Sequence, residues 1–290
     1  MTQDDATLVA RPEQPFDWSS HGLSHPGNVR AYNEDAYLCQ PGKGLWAVAD
    51  GMGGHHAGDV ASRAVVESLG AVALCHGLPE LIKRCCASLQ AANAQLQASD
   101  SDGQNRLCGS TAVVLLTHGR RGAVVWAGDS RVYRLSRNAE RSELTQLTRD
   151  HSKVAELVRQ GQLTEAEAER HPDANMITRA IGVRPSLELD VQEFDIDEGD
   201  TYLLCSDGLT RYVTAPEMAR LLAGASISQA ADALVAATLA TAARDNVTVV
   251  VARASGDSIT RTLLNPASSY QQPVHDDPTV LDETSAKRRD

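Results

Sequence analysis

Leu45-Trp46-Ala47-Val48-Ala49-Asp50-Gly51 runs through five apolar residues without a polar break and stops on an Asp-Gly pair. A strand with one wet face alternates apolar and polar residues, whereas an unbroken run of this length suits a strand covered on both faces. Similar text recurs at Ser110 to Leu116, Ala123 to Ala127, Arg131 to Leu135, Leu187 to Phe194, Thr201 to Cys205 and Val247 to Ala252. Several doubly covered strands predict a layered molecule, in which a sheet packs against a second sheet on one side and against helices on the other.

Outward from these strands, Ala231, Leu234, Val235, Thr238, Leu239 and Ala242 form a helical stripe, with Ser228 as its candidate cap. Two more helices are expected from Asp59 to about Leu74 and from Pro79 to about Ala98, the proline suiting a first helical turn. Between Ser152 and Met176, Gly161 and Thr164 separate two short amphipathic segments and Pro172 ends the second, which reads as a small helical insertion at 152–176. Residues 1–17 read as a flexible leader, and 255–290, rich in Ser, Thr, Asp, Gln and Pro, as a disordered tail.

At 290 residues the chain is long enough for two domains of typical size, and needs no disulfide or structural metal to hold a core. Its formal charge of -11 excludes a grip on nucleic acid through phosphate neutralisation and disfavours anionic membrane surfaces. The longest nearly apolar stretch, Ala233 to Ala243, is far short of the roughly 20 residues that a membrane span requires. Acids stand near the N-terminus where a signal peptide carries positive charge, and Cys39, Cys75, Cys85, Cys86, Cys108 and Cys205 contain no Cys-x-x-Cys pair. Reduced thiols in a cytoplasmic protein follow from this.

Aspartates at the ends of apolar runs, three of them beside glycine, carry the chemistry. They are Asp50-Gly51, Gly128-Asp129, Asp207-Gly208, and Asp245, which opens the run from Val247. One such pair is an ordinary turn. Four at strand ends require a cation, because a carboxylate at the rim of a covered sheet is costly unless paired, while glycine lets backbone approach a ligand. Oxygen donors with no accompanying His or Cys cluster suit Mg²⁺ or Mn²⁺. Arg30 precedes Glu34 and Asp35 by four and five residues, and beside a metal cluster its guanidinium is shaped to hold phosphate oxygens.

The segments SHPGNVRAYNEDA (24–36), AVADGMGGHHAG (47–58), GSTAVVLL (109–116), WAGDSRVY (126–133), LTRDHS (147–152), ITRAIG (177–182), LLCSDGLT (203–210) and RDNVTVVV (244–251) resemble, in order, the motifs of the type 2C metal-dependent protein serine/threonine phosphatases. The resemblance spans about residues 18–254 and reduces the two-domain expectation to one catalytic domain, with the insertion at 152–176 as its flap. It implies an α+β fold, a four-layer α-β-β-α sandwich of two antiparallel sheets flanked by helices. It makes Asp50 the carboxylate bridging two Mn²⁺ or Mg²⁺ ions, gives Gly51 a metal-bound carbonyl, and adds Asp207 and Asp245 as ligands. Asp129, with Asp207, is similar to the pair that holds a weaker third ion. Glu34 and Asp35 correspond to residues holding metal-bound water, and Arg30 to the phosphate-binding residue.

The implied reaction is hydrolysis of phosphoserine or phosphothreonine by direct attack of a metal-bridging hydroxide, without a phosphoenzyme. Some members carry His directly after Asp-Gly as general acid, where this chain has Met52. His55, His56 or a metal-bound water remain as alternatives, His55 being the candidate side chain. The form resembles bacterial single-domain members, which implies phosphorylated Ser/Thr proteins as substrates, a cognate serine/threonine kinase, and a monomer. A forkhead-associated scaffold and type VI secretion are a further context of such pairs, for which Thr279-Val280-Leu281-Asp282 offers a candidate phosphothreonine ligand. A metal-free binding protein is disfavoured because Arg30, Asp50, Asp207 and Asp245 are all present, while small phosphomonoesters stay open as substrates. Gly51-Met52-Gly53-Gly54 lacks the Gly-Lys-Ser/Thr of a nucleotide loop. His21, His25, His76, His118, His151 and His171 read as surface or loop residues.

Overall fold

The computed structural model describes residues 16–53, 57–99, 108–138, 141–168, 170–224 and 226–256. One antiparallel sheet has the strand order β1 (Phe16–His25), β11 (Val247–Gly256), β10 (Thr201–Cys205), β7 (Arg131–Asn138), β8 (Arg141–Gln146). The other runs β2 (Asp35–Gln40), β3 (Leu45–Gly53), β5 (Ala112–His118), β6 (Arg121–Ala127), β9 (Asp190–Asp195), with β4 (Cys108–Ser110) added to the end of β3.

Continuous apolar strands are explained by what each face meets. Trp46 and Val48 join Val113, Leu115, Val124 and Trp126 in a layer shared with Val132, Tyr202, Leu204, Val250 and Ala252 of the opposite sheet. Their neighbours Ala47 and Ala49 point the other way, into a cluster with Val65 and Leu69 of α1 (Ala57–Gly70) and Leu81, Cys85 and Leu89 of α2 (Leu78–Ser99). Leu203, Val249 and Val251 likewise meet Met218 and Leu222 of α6 (Ala215–Ala223) and Leu234 of α7 (Ile227–Leu239). The period of two along each strand therefore serves two cores, giving helices, sheet, sheet, helices. The insertion carries α3 (Lys153–Arg159) and α4 (Glu165–Ala168), and α5 (Asp207–Thr210) follows β10.

Several expectations shift. Ser226, not Ser228, caps α7, through a reciprocal box with Gln229. β1, β2, β8 and α6 had no clear signal, since FDWSSHGLSH mixes Ser, Gly and His with its apolar residues. The run from Ser110 to Leu116 breaks at Thr111, whose N–H donates to Asp50 O at 2.9 Å while Ser110 exchanges hydrogen bonds with Ile181. β1 starts inside the expected leader, at Phe16, and β11 runs to Gly256; residues 1–15 and 257–290, with the Thr279 segment, lie outside the described residues. All six cysteines are free thiols, three of them buried. Among the described residues, no helix is long and apolar enough to cross a membrane.

Candidate metal and phosphate site

Antiparallel pairing brings the quoted aspartates to one end of the sandwich. Asp35 at the start of β2 lies opposite Asp50 near the end of β3. β10 ends where β11 begins, Cys205 pairing with Val249, so Asp207 and Asp245 leave neighbouring strand ends of the other sheet. Asp35 ties the sheets together, its Oδ2 accepting from Ser206 Oγ at 2.8 Å and Thr248 Oγ1 at 2.7 Å. Asp50 is fixed through its backbone, its N–H donating to Thr111 Oγ1 at 3.0 Å and its carbonyl accepting from Ser110 Oγ at 3.1 Å.

Asn246 and Asn28 position the Arg30 loop. Asn246 Oδ1 accepts from Glu34 N at 2.9 Å, and its Nδ2 donates to Pro26 O at 3.0 Å and Tyr32 O at 2.9 Å. Asn28 Nδ2 donates to Leu239 O and Thr241 O, satisfying carbonyls at the end of α7. Gly27 sits between them at φ +79, where a Cβ would stand 2.2 Å from Asp245 O. A side chain there is excluded twice, by conformation and by space. Asn246→Ala is expected to lower stability by about 2–4 kcal/mol, since three hydrogen bonds at a buried side chain vanish. It should also raise KM more than it lowers kcat; denaturant melts and steady-state kinetics check both effects.

The electrostatics are those of a cation site. Burial pushes the Asp50 carboxyl well above the usual range, and the charges of Asp35, Asp207, Asp129 and Asp245 add to the shift. Asp35 rises to about 7, again chiefly by burial, although Thr248 and Ser206 pull against it. Asp129 rises to about 7 through burial and the charges of Asp207 and Asp150. Asp207 is raised by burial, with Arg211 opposing. Asp35 Oδ1 and Asp207 Oδ1 are buried without hydrogen-bond partners. Gly51 is packed so closely that a Cβ would come 2.0 Å from Gly58 O. Acidic oxygens left unpaired, repelling one another in a poorly solvated place, fit hard divalent cations.

Among the described residues, no three His, Cys, Asp or Glu side chains are grouped as a ready chelate. Arginines hold the carboxylates instead: Arg30 Nε lies 3.0 Å from Asp245 Oδ1, and Arg211 pairs with Asp207 and, at 3.6 Å, with Asp245 Oδ2. Glu34 belongs to the same loop, and its carboxylate lies against Gly58 at the start of α1. His55 and His56 fall outside the described residues.

His151 departs from the surface or loop reading. It is buried, stacks on Trp126 with ring centroids 5.9 Å apart, and accepts from Gly128 N at Nδ1. Its Nε2 faces Asp190 Oδ2 at 3.3 Å, and Arg179 also binds Asp190, at 2.7 Å. Burial holds its pKa below the ordinary imidazole value. His151 thus braces the turn presenting Asp129 against the segment leading out of the helical insertion. Arg131 completes this turn with a fork onto Asp150, at 2.9 and 2.7 Å.

The chain is similar to known proteins over most of its length. The family model described as Protein phosphatase 2C matches residues 22–244. The serine/threonine phosphatase stp of Listeria welshimeri is 34% identical over 221 residues, covering 72% of this chain and 85% of that protein. Among solved structures, PppA of Pseudomonas aeruginosa, described as a key regulatory component of T6SS, is 38% identical with a TM-score of 0.75, covering 82% of this chain and 97% of that one. The catalytic domain of the serine/threonine protein phosphatase PstP, solved in complex with two manganese ions, is 34% identical with a TM-score of 0.73, covering 82% and 98%.

Proposed function

This chain belongs to the protein phosphatase 2C family and is a protein serine/threonine phosphatase, and from that premise we propose that it hydrolyses phosphoserine and phosphothreonine by direct attack of water at a two-metal centre. The observation that carries the reading is the meeting of Asp50, Asp129, Asp207 and Asp245 at one end of the sandwich, where burial and neighbouring acids raise Asp50, Asp129 and Asp207 and arginines pair with Asp207 and Asp245. Asp50, the Gly51 carbonyl, Asp207 and Asp245 would hold two Mn²⁺ or Mg²⁺ ions, and Asp129 with Asp207 a weaker third. When bound, the ions would acidify a water molecule for attack on phosphorus and would neutralise charge on the phosphoryl oxygens.

The chain's own residues do the rest. Glu34 and Asp35 accept hydrogen bonds from water at the centre and so orient it. Arg30, half-exposed on a loop pinned by Asn28 and Asn246, binds the phosphoryl oxygens as charge moves onto them. Without cations the carboxylates would repel the substrate. His55 is assigned the proton delivered to the leaving oxygen. Residues 18–254 form the catalytic domain and 152–176 its flap. The setting we propose is cytoplasmic signalling opposite a bacterial serine/threonine kinase. The likeness to PppA favours a type VI secretion context, and the motif resemblance alone suggests a forkhead-associated scaffold as partner.

A comparison of substrates tests the assignment. With manganese, kcat/KM for a phosphothreonine peptide should exceed that for a small phosphomonoester by about tenfold or more, since contacts remote from phosphorus contribute to transition-state binding. Equal or better use of the small ester would instead make the protein a small-molecule phosphatase. No release from either by folded, metal-loaded protein would favour a binding role.

A further inference from the structure

Arg211 stands one helical turn after Asp207, and no motif in the sequence singled it out. Its guanidinium pairs with Asp207 Oδ2 and lies 3.6 Å from Asp245 Oδ2, while Arg30 takes the other oxygen of Asp245 at 3.0 Å. Two carboxylates proposed above as metal ligands are therefore already paired with the chain's own arginines. The match is incomplete, because Asp207 Oδ1 stays buried without a hydrogen-bond partner. Arg211 is a third exposed, so its head group has a path to solvent. Arg30 touches Asp245 but has no ion pair with Asp207, which leaves Arg211, among the described residues, as the cation bridging both acids.

We propose that Arg211 is an internal counter-ion that competes with the divalent cation for Asp207 and Asp245, so that the metal affinity is set partly by its hold. The inference rests on the reading of these two aspartates as ligands. One carboxylate oxygen cannot give its full charge to a guanidinium and to a cation at once. Whether Arg211 leaves or stays close, its positive charge opposes the incoming ion. In the stripped protein the same charge relieves repulsion between the acids and supports the fold.

The test is a calorimetric manganese titration of stripped wild type, Arg211→Ala, Arg211→Gln and Arg211→Lys, with thermal melts of the stripped forms. Both neutral variants should bind manganese up to about fivefold more tightly than wild type, the scale of one partly exposed ion pair. Both should melt lower when stripped, and Arg211→Lys should lie between. Unchanged or weaker manganese affinity in a folded neutral variant overturns the inference, and weaker affinity would mean that Arg211 orients Asp207 for the metal. Arg211→Gln, which keeps hydrogen-bonding capacity near the acids, carries the test if the alanine variant does not fold when stripped. Wild-type affinity in Asp207→Asn would instead sink the ligand assignment.

Discussion

Asp50→Asn is expected to abolish manganese-dependent phosphate release, with kcat falling by about a thousandfold or more, while the stripped variant melts at a higher temperature than stripped wild type. The loss follows from its proposed place between two ions, where a neutral amide removes the charge that holds both and the electrostatic stabilisation they provide. The gain in stability has a separate cause. Asp50 is raised by burial and by four neighbouring aspartates, so its ionised form opposes folding when no cation is present. The backbone bonds from Thr111 and Ser110 that seat it do not involve the carboxylate, and they survive the substitution. Phosphate release and thermal melts of stripped protein read the two effects; loss of activity with loss of the fold would leave Asp50 a structural residue.

The metal-stripped wild type should become more stable as pH falls from about 8 to about 5.5, opposite to ordinary acid denaturation. Asp35 and Asp129 move from 3.8 to about 7 on folding. Groups raised in this way bind protons more tightly in the folded state. Their contribution is full below the unfolded value and is lost as pH climbs through about 7. Unperturbed carboxylates are ionised in both states across most of this window, and His151, whose pKa burial lowers, opposes the trend as one group against two. A melting temperature higher by about 5 °C at the lower pH is the expected size for a domain of this length. Manganese should reverse the slope, because cations favour the ionised acids that protons compete for. A flat profile without metal would mean that the acids are better solvated than their burial indicates.

Much of this was legible in the chain. Leu45 to Ala49 and Val247 to Ala252 face two cores at once, so their unbroken apolarity reported both sheets and both helical layers. Asp-Gly pairs at the ends of such runs pointed to where the aspartates converge, because strand ends converge whenever antiparallel sheets stack. What sequence reading missed depends on side chains whose partners are distant in the chain. Asn246 opens a strand and gives no local sign that it anchors residues 26–34. His151 looked like one of several scattered histidines until Trp126, Gly128 and Asp190 surrounded it. Ser206 and Thr248 meet Asp35 across more than 170 residues of sequence. Arg211 is the nearest to a readable case, since an acid and a base four apart on a helix commonly pair. Its second contact, with Asp245, needed the fold.

The most direct measurement is phosphate release from a phosphothreonine peptide by protein stripped of metal, verified by elemental analysis, and then titrated with manganese. The account predicts no turnover from the stripped chain and recovery that follows occupancy of the carboxylate site. Undiminished turnover by verifiably metal-free protein would contradict it.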